Sequence, residues 1–166
     1  MENILVAVDD TTENAHLIEA AIGQTQATGG QLVVVHVMPD RRYQAKQQAV
    51  AGAGLPAGSG FHYGITQARA AAEAIADRAA RAAIGTRPIP YTAVGAVGAV
   101  GDQVAAVAAT YDCRTVVLAS EPTWLARRFG RTGRQLRRAF GGNVLRVGTP
   151  HVEAEGAALT EAEASS

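Results

Sequence analysis

The sequence predicts an α/β fold, a doubly wound and mostly parallel sheet with helices on both faces, in a single domain. Three observations carry this reading. Short aliphatic runs recur without polar alternation, as strands covered on both faces require. Stretches with apolar residues at helical spacing separate those runs, and right-handed crossovers through such helices keep successive strands parallel. The chain has 166 residues, 48% apolar and 18% charged, enough for one core and too few for two ordinary domains.

The first run, Ile4-Leu5-Val6-Ala7-Val8, ends at Asp9-Asp10. Thr11 or Thr12 can cap the next helix, whose Ala15, Ile18 and Ile22 recur at helical spacing until Gly29-Gly30 stops it. Leu32-Val33-Val34-Val35-His36-Val37 is a second buried strand. Residues 38–63 then break the rhythm with Pro39, Pro56 and a glycine-rich run from Gly52 to Gly64. They read as a long mobile loop, with a weak helical signal at 44–51.

An Ala-rich helix is expected over Ile65–Ile84, with Ile75 and an Asp77 to Arg81 pair at i,i+4, closed by Gly85 and Pro88. Residues 89–97 form a third strand. Asp102 can cap a helix whose Val104, Val107, Ala108 and Tyr111 share a face. Thr115-Val116-Val117-Leu118-Ala119 is a fourth buried strand, 120–130 a loop, 131–139 a short helix, and Val144-Leu145-Arg146-Val147 a fifth strand. The domain therefore spans 1–149. The tail 150–166 is expected to be disordered, because Val152 and Leu159 are its only large apolar residues and cannot offset chain entropy.

Charge and cysteine usage exclude several classes of function. The 15 basic and 15 acidic side chains cancel, so no global field recruits nucleic acid or an anionic membrane. Aromatics at 5% also weigh against nucleic acid. A single cysteine, Cys113, excludes an internal disulfide and a cysteine-cluster metal site, and points to the reducing cytoplasm. No basic stretch followed by a long apolar run opens the chain, and no run is long enough to span a bilayer, so neither secretion nor insertion is expected.

In doubly wound sheets ligands bind outside the carboxyl ends of the strands, where strand order reverses. Here that places Asp9-Asp10, Val37-Met38, Val97-Gly98 and residues 120–130 at the site. His36, alone in an apolar strand, reads as a hydrogen-bonded core histidine. His16, His62 and His151 are scattered over helix, loop and tail and form no metal set. Cys113 reads as a small packing residue. No nucleophile, base and orienting group converge, so efficient catalysis is not expected.

In order and spacing, these runs resemble the universal stress protein family, of the adenine nucleotide alpha hydrolase-like fold, over residues 3–148. Ile4-Leu5-Val6-Ala7-Val8-Asp9 resembles the family's first strand with its terminal Asp, and Val35-His36-Val37 its second. Gly98 with Val104 and Ala108 resembles its Gly-x5-Ile-x3-Ala pattern, and Val116-Val117-Leu118-Ala119-Ser120 its fourth strand. Gly130 stands where the family has its phosphate-loop glycine, with Val144-Leu145-Arg146-Val147 as its last strand.

The resemblance implies sheet order 3-2-1-4-5 and a regulatory protein of the stress response that binds ATP or AMP, with magnesium as a possible companion. It implies that Asp9 contacts the adenosine part, that adenine meets the backbone of Val37, and that Ala7 and Val8 line the same pocket. Gly98, Ala119, Ser120, Gly130, Arg131 and Thr132 complete the implied nucleotide site. It also implies a homodimer in which residues 144–147 (Val144, Leu145, Arg146 and Val147) pair across a two-fold axis, an aliphatic edge that would otherwise stay open.

The phosphate loop departs from the family pattern of Gly, two residues, Gly, nine residues, Gly and then Ser or Thr: Ala119 and Pro122 stand at the first two glycines, seven residues precede Gly130, and Arg131 replaces the hydroxyl residue. Proline removes an N–H donor and fixes φ where glycine would let the backbone approach a phosphate. Against this, residues 121–148 hold seven Arg and one Glu. Arg131 and Thr132 would open a helix whose free N–H groups favour anions, with Arg127 and Arg128 beside them. Arg134, Arg137 and Arg138 read equally as the solvated face of a short helix with Leu136 and Phe140 opposite. Trp124 either stacks on a base or a partner, or fills the space the missing glycines would leave. Asp9 or Asp10 could instead cap the first helix, and Asp9, Asp10 and Glu121 are the oxygen ligands open to magnesium. Two functions stay open on the sequence: a nucleotide-binding regulator, and a nucleotide-free dimeric scaffold for an unidentified protein partner.

Overall fold

The computed structural model describes residues 1–10, 14–53, 63–119, 136 and 139–148. Along the chain run β1 (Asn3–Val8), α1 (Ala15–Thr28), β2 (Leu32–Met38), α2 (Asp40–Gly52), α3 (Ile65–Ile84), β3 (Tyr91–Val97), α4 (Val100–Thr110), β4 (Cys113–Ala119) and β5 (Asn143–Val147). The strands form one sheet in the order β3-β2-β1-β4-β5, all in parallel. This is the expected fold and order.

Both faces of the sheet are covered at its centre, which is why β1, β2 and most of β4 are aliphatic and buried. On one face Ile4, Val6, Val8, Leu32, Val34 and Val117 pack under Leu17, Ile18, Ala21 and Ile22 of α1 and Ala76, Ala80 and Ile84 of α3. On the other, Leu5, Ala7, Val33, Val35, Val37, Val116 and Leu118 pack against Val104, Ala105, Val107 and Ala108 of α4 and against Leu136. Burying each of the larger side chains contributes roughly 1.5–3 kcal/mol before entropy is counted. Phe140 and Val144 pack against the α4 side.

α3 lies close to the sheet because its inner stripe is Ala68, Ala72, Ala76 and Ala80, one residue per turn. The facing residue of β3 is Gly95, whose missing side chain leaves room for the helix backbone at Arg69 and Glu73. The expected pair Asp77–Arg81 forms, with Arg81 Nε 2.8 Å from Asp77 Oδ2. Beyond α3, Arg87 forks onto the Glu19 carboxylate of α1 at 2.6 and 2.8 Å.

Four local expectations are corrected. Part of the stretch read as a loop is the thirteen-residue helix α2, none of whose residues is buried. Periodicity is silent for a helix without a buried face, while its Arg, Gln, Ala and Lys are good helix formers. The cap of α1 is Asn14; Thr11 and Thr12 lie outside the described residues. Ala15 is exposed, and the buried face of α1 is instead Leu17, Ile18, Ala21, Ile22 and Thr25. Asp102 sits in the first turn of α4, whose cap is Ala99.

Candidate functional site

Strand order reverses between β1 and β4. β1 connects through α1 to β2 on one side, whereas the chain returns through α4 to β4 on the other. The registers show where the two central strands part. β1 runs with β4 to Val6↔Val117 and with β2 two residues further, to Val8↔His36. β4 meanwhile stays with β5 to Ala119↔Val147. The carboxyl ends of β1 and β4 thus open a crevice at the position where such sheets hold ligands.

Asp9 follows β1 directly and is 9% exposed. Its N–H donates to Asn14 Oδ1 at 3.1 Å, and Asn14 Nδ2 donates back to the Asp9 carbonyl at 3.0 Å. The cap of α1 therefore fixes the backbone that carries Asp9. Asp10 turns the other way, its Oδ2 2.5 Å from Nη1 of Arg42 on α2. Partial burial acts to raise the Asp10 pKa, but the Arg42 hydrogen bond and charge outweigh it and hold the carboxyl below its ordinary value.

Ala7 and Val8 are both buried, on opposite faces of β1: Ala7 packs on the α4 side and Val8 on the α1 and α3 side. Alternation along a strand forces this, so their side chains do not line one pocket. Val37 is buried on the α4 side, where it shares the Ala7 core. Gly98 follows β3 at φ 140°, a region closed to residues with a side chain, and its N–H donates to the Met38 carbonyl at 3.0 Å. Ala119 ends β4 half-buried. Ser120, Gly130, Arg131 and Thr132 lie outside the described residues, as do Glu121, Pro122, Trp124, the arginines from Arg127 to Arg138, and the tail.

His36 is 2% exposed. Its Nδ1 lies 3.0 Å from the Val8 carbonyl, which can only accept, so the proton sits on Nδ1. Burial pushes the imidazole pKa below its ordinary value, ahead of the Val8 bond that works to raise it. Nε2 has no hydrogen-bond partner among the described residues. The expected structural histidine is therefore present, and it ties β2 to the last residue of β1. Cys113, the first residue of β4, is buried, and burial pushes its thiol up to about 11. It is a packing residue and not a nucleophile at neutral pH.

A cavity of about 380 Å³ opens between the Asp9-Asp10 turn, Asn14 and Ala15 at the start of α1, and Ile75, Arg78 and Ala79 of α3. Of the expected site residues that are described, Asp9 and Asp10 line it, and Ala7, Val8, Val37, Gly98 and Ala119 do not. Among the described residues no group of three His, Cys, Asp or Glu side chains could hold a metal ion; Glu121, expected beside Asp9 and Asp10 as an oxygen ligand, lies outside them. Sequence reasoning missed Asn14 and Arg42. Asn14 bonds the backbone five residues before it and not its own helix, so no capping pattern marks it, and Arg42 lies on a helix without a buried face.

The model of the Universal stress protein family matches residues 1–147. No curated protein matches the chain. Solved structures share the fold at low identity. A universal stress protein solved in complex with cAMP is 18% identical, with 89% of this chain and 97% of that one covered and a TM-score of 0.51. One from Burkholderia pseudomallei is 17% identical, with 88% and 95% covered and a TM-score of 0.52. One from Archaeoglobus fulgidus DSM 4304 is 17% identical with a TM-score of 0.52; 87% of this chain aligns, but only 44% of that longer one. No helix among the described residues is long and apolar enough to cross a membrane.

Proposed function

The chain belongs to the universal stress protein family, and from that premise we propose that it is a regulatory protein of the cytoplasm that binds an adenine nucleotide, ATP or AMP, at the carboxyl ends of β1, β2 and β4. One observation carries the reading: β1 and β4 part after Val6↔Val117 at the reversal of strand order, with Asp9 fixed at the lip. Asp9 receives the adenosine end, with adenine against the Val37 backbone and the ribose near Gly98 and Ala119. The cAMP held by the solved family member supports an adenine ligand. Arg131 and Thr132 with Gly130 and Ser120 take the phosphates in place of a glycine cradle. No acid, base and nucleophile set is assigned, so the nucleotide acts as a signal that biases partner binding in the stress response.

β5 closes one edge of the sheet, and its Leu145 is 39% exposed. Two copies pairing through Val144, Leu145, Arg146 and Val147 would satisfy that edge and form a homodimer.

A specific feature favours a second reading, a dimeric scaffold without nucleotide: Pro122 and the shortened interval to Gly130 remove phosphate-loop donors. Denaturing freshly purified protein and separating the released small molecules against ATP, ADP, AMP and cyclic AMP standards decides between them. The nucleotide reading expects about one nucleotide per chain, as purified or after incubation with ATP and magnesium. No released nucleotide in either case, with the dimer intact, establishes the scaffold.

A further inference from the structure

We propose that α2 is a hinged strap across the carboxyl ends of β1 and β2, held shut by the Asp10–Arg42 ion pair. The helix has no fully buried residue; among the described residues its one contact with a core cluster is the half-buried Tyr43. One residue, Pro39, joins it to β2, at φ −64° and ψ 145°. The proline ring locks φ, which leaves ψ as the soft torsion of the hinge. Among the described residues its other attachments come from side chains. Arg42 reaches from α2 to Asp10 in the turn after β1. The Tyr43 ring lies 6.0 Å from that of Tyr63, and Lys46 Nζ sits 5.6 Å from the centre of the latter. Gln47 Nε2 donates to Tyr43 Oη at 2.8 Å and to the Tyr63 carbonyl at 3.3 Å.

These contacts make a weak catch over an apolar seat. Met38 and Val97 are buried beside Tyr43 and Tyr63, with Ala68 and Ala72 of α3 below. The ion pair is 40% exposed at Arg42 and 37% at Asp10, the setting in which pairs are worth least and salt screens them. A helix tied by exposed polar contacts and one half-buried ring opens locally at lower free energy than the core. Because the catch closes on the residue next to Asp9, opening the strap widens the approach to Asp9 and Val37. That consequence rests on the nucleotide reading above; the hinge and catch themselves belong to the ligand-free chain.

Hydrogen exchange followed by mass spectrometry on the full chain, without nucleotide, tests it. Asp10→Ala and Arg42→Gln should each speed exchange at residues 44–52 roughly twofold to fivefold. About 1 M salt should do the same to the unaltered protein, with α1 and α3 unchanged in every case. Exchanging the charges, Asp10→Arg with Arg42→Asp, should restore the slower rate. Unchanged exchange in α2 under both substitutions and under salt overturns the strap, as does an equal rise in α1 and α3. Since no nucleotide is present, an empty pocket in the release assay does not affect this result.

Discussion

Asp9 and Asn14 grip one another through two backbone-to-amide hydrogen bonds, at 3.1 Å and 3.0 Å, across the turn between β1 and α1. The pair joins the carboxyl end of the first strand to the cap of the first helix, so the element that builds the sheet also sets the candidate binding residue.

Asn14→Ala removes both bonds and leaves the Asp9 N–H and carbonyl buried without them. It should destabilise the protein by about 2 kcal/mol. A urea transition with an unchanged midpoint would show that the pair contributes nothing.

His36 makes stability depend on pH. Its folded-state pKa lies below the ordinary value of about 6.5, so the unfolded chain binds more protons in the window just below that value. Stability should be level with respect to this group above pH 6.5 and fall as pH drops from there toward the folded value, by at most about 1.4 kcal/mol per pH unit. Asp10, also held below its ordinary carboxyl value, adds a loss of the same sign only below about pH 4. His36→Gln keeps an amide donor and cannot titrate, so its profile from pH 6.5 downward should be flatter. Parallel profiles for the two proteins would remove His36 as the cause.

Two glycine substitutions should act in opposite directions. Gly98→Ala forces a side chain onto φ 140° and crowds Gln103, costing about 1–3 kcal/mol. Gly23 lies inside α1 with open space at its Cβ position, so Gly23→Ala should stabilise by about 0.5–1 kcal/mol. Thermal unfolding of the two variants reads both signs; a shift of the same sign would contradict the backbone account.

The central strands were legible because a strand buried on both faces is aliphatic throughout, and runs such as Leu32-Val33-Val34-Val35 permit little else. The lip of the crevice was legible for the same reason, since Asp9 breaks such a run. What escaped lies where no core imposes a pattern. No residue of α2 is fully buried, so Arg42 and its tie to Asp10 left no periodic trace. Asn14 stands at the N-cap position but spends its side chain on the Asp9 backbone and not on the helix, a role that capping patterns do not mark. The opposed side chains of Ala7 and Val8 follow from strand alternation, which sends neighbours in sequence to different layers.

Leu145→Glu places a charge on the exposed aliphatic edge of β5. If copies pair there, the dimer should dissociate at least tenfold more readily, read as mass against concentration by light scattering. An unchanged mass would move the interface elsewhere.

The central claim is an adenine nucleotide held by Asp9 at the parting of β1 and β4. Calorimetric titration of ATP and AMP into the nucleotide-free protein and into Asp9→Ala tests it most directly. The account expects binding at about one site per chain, weakened roughly 10- to 100-fold by the substitution, as losing a charge-assisted hydrogen bond implies. Equal affinity in both proteins would contradict the role of Asp9, and no heat of binding in either would contradict the nucleotide itself.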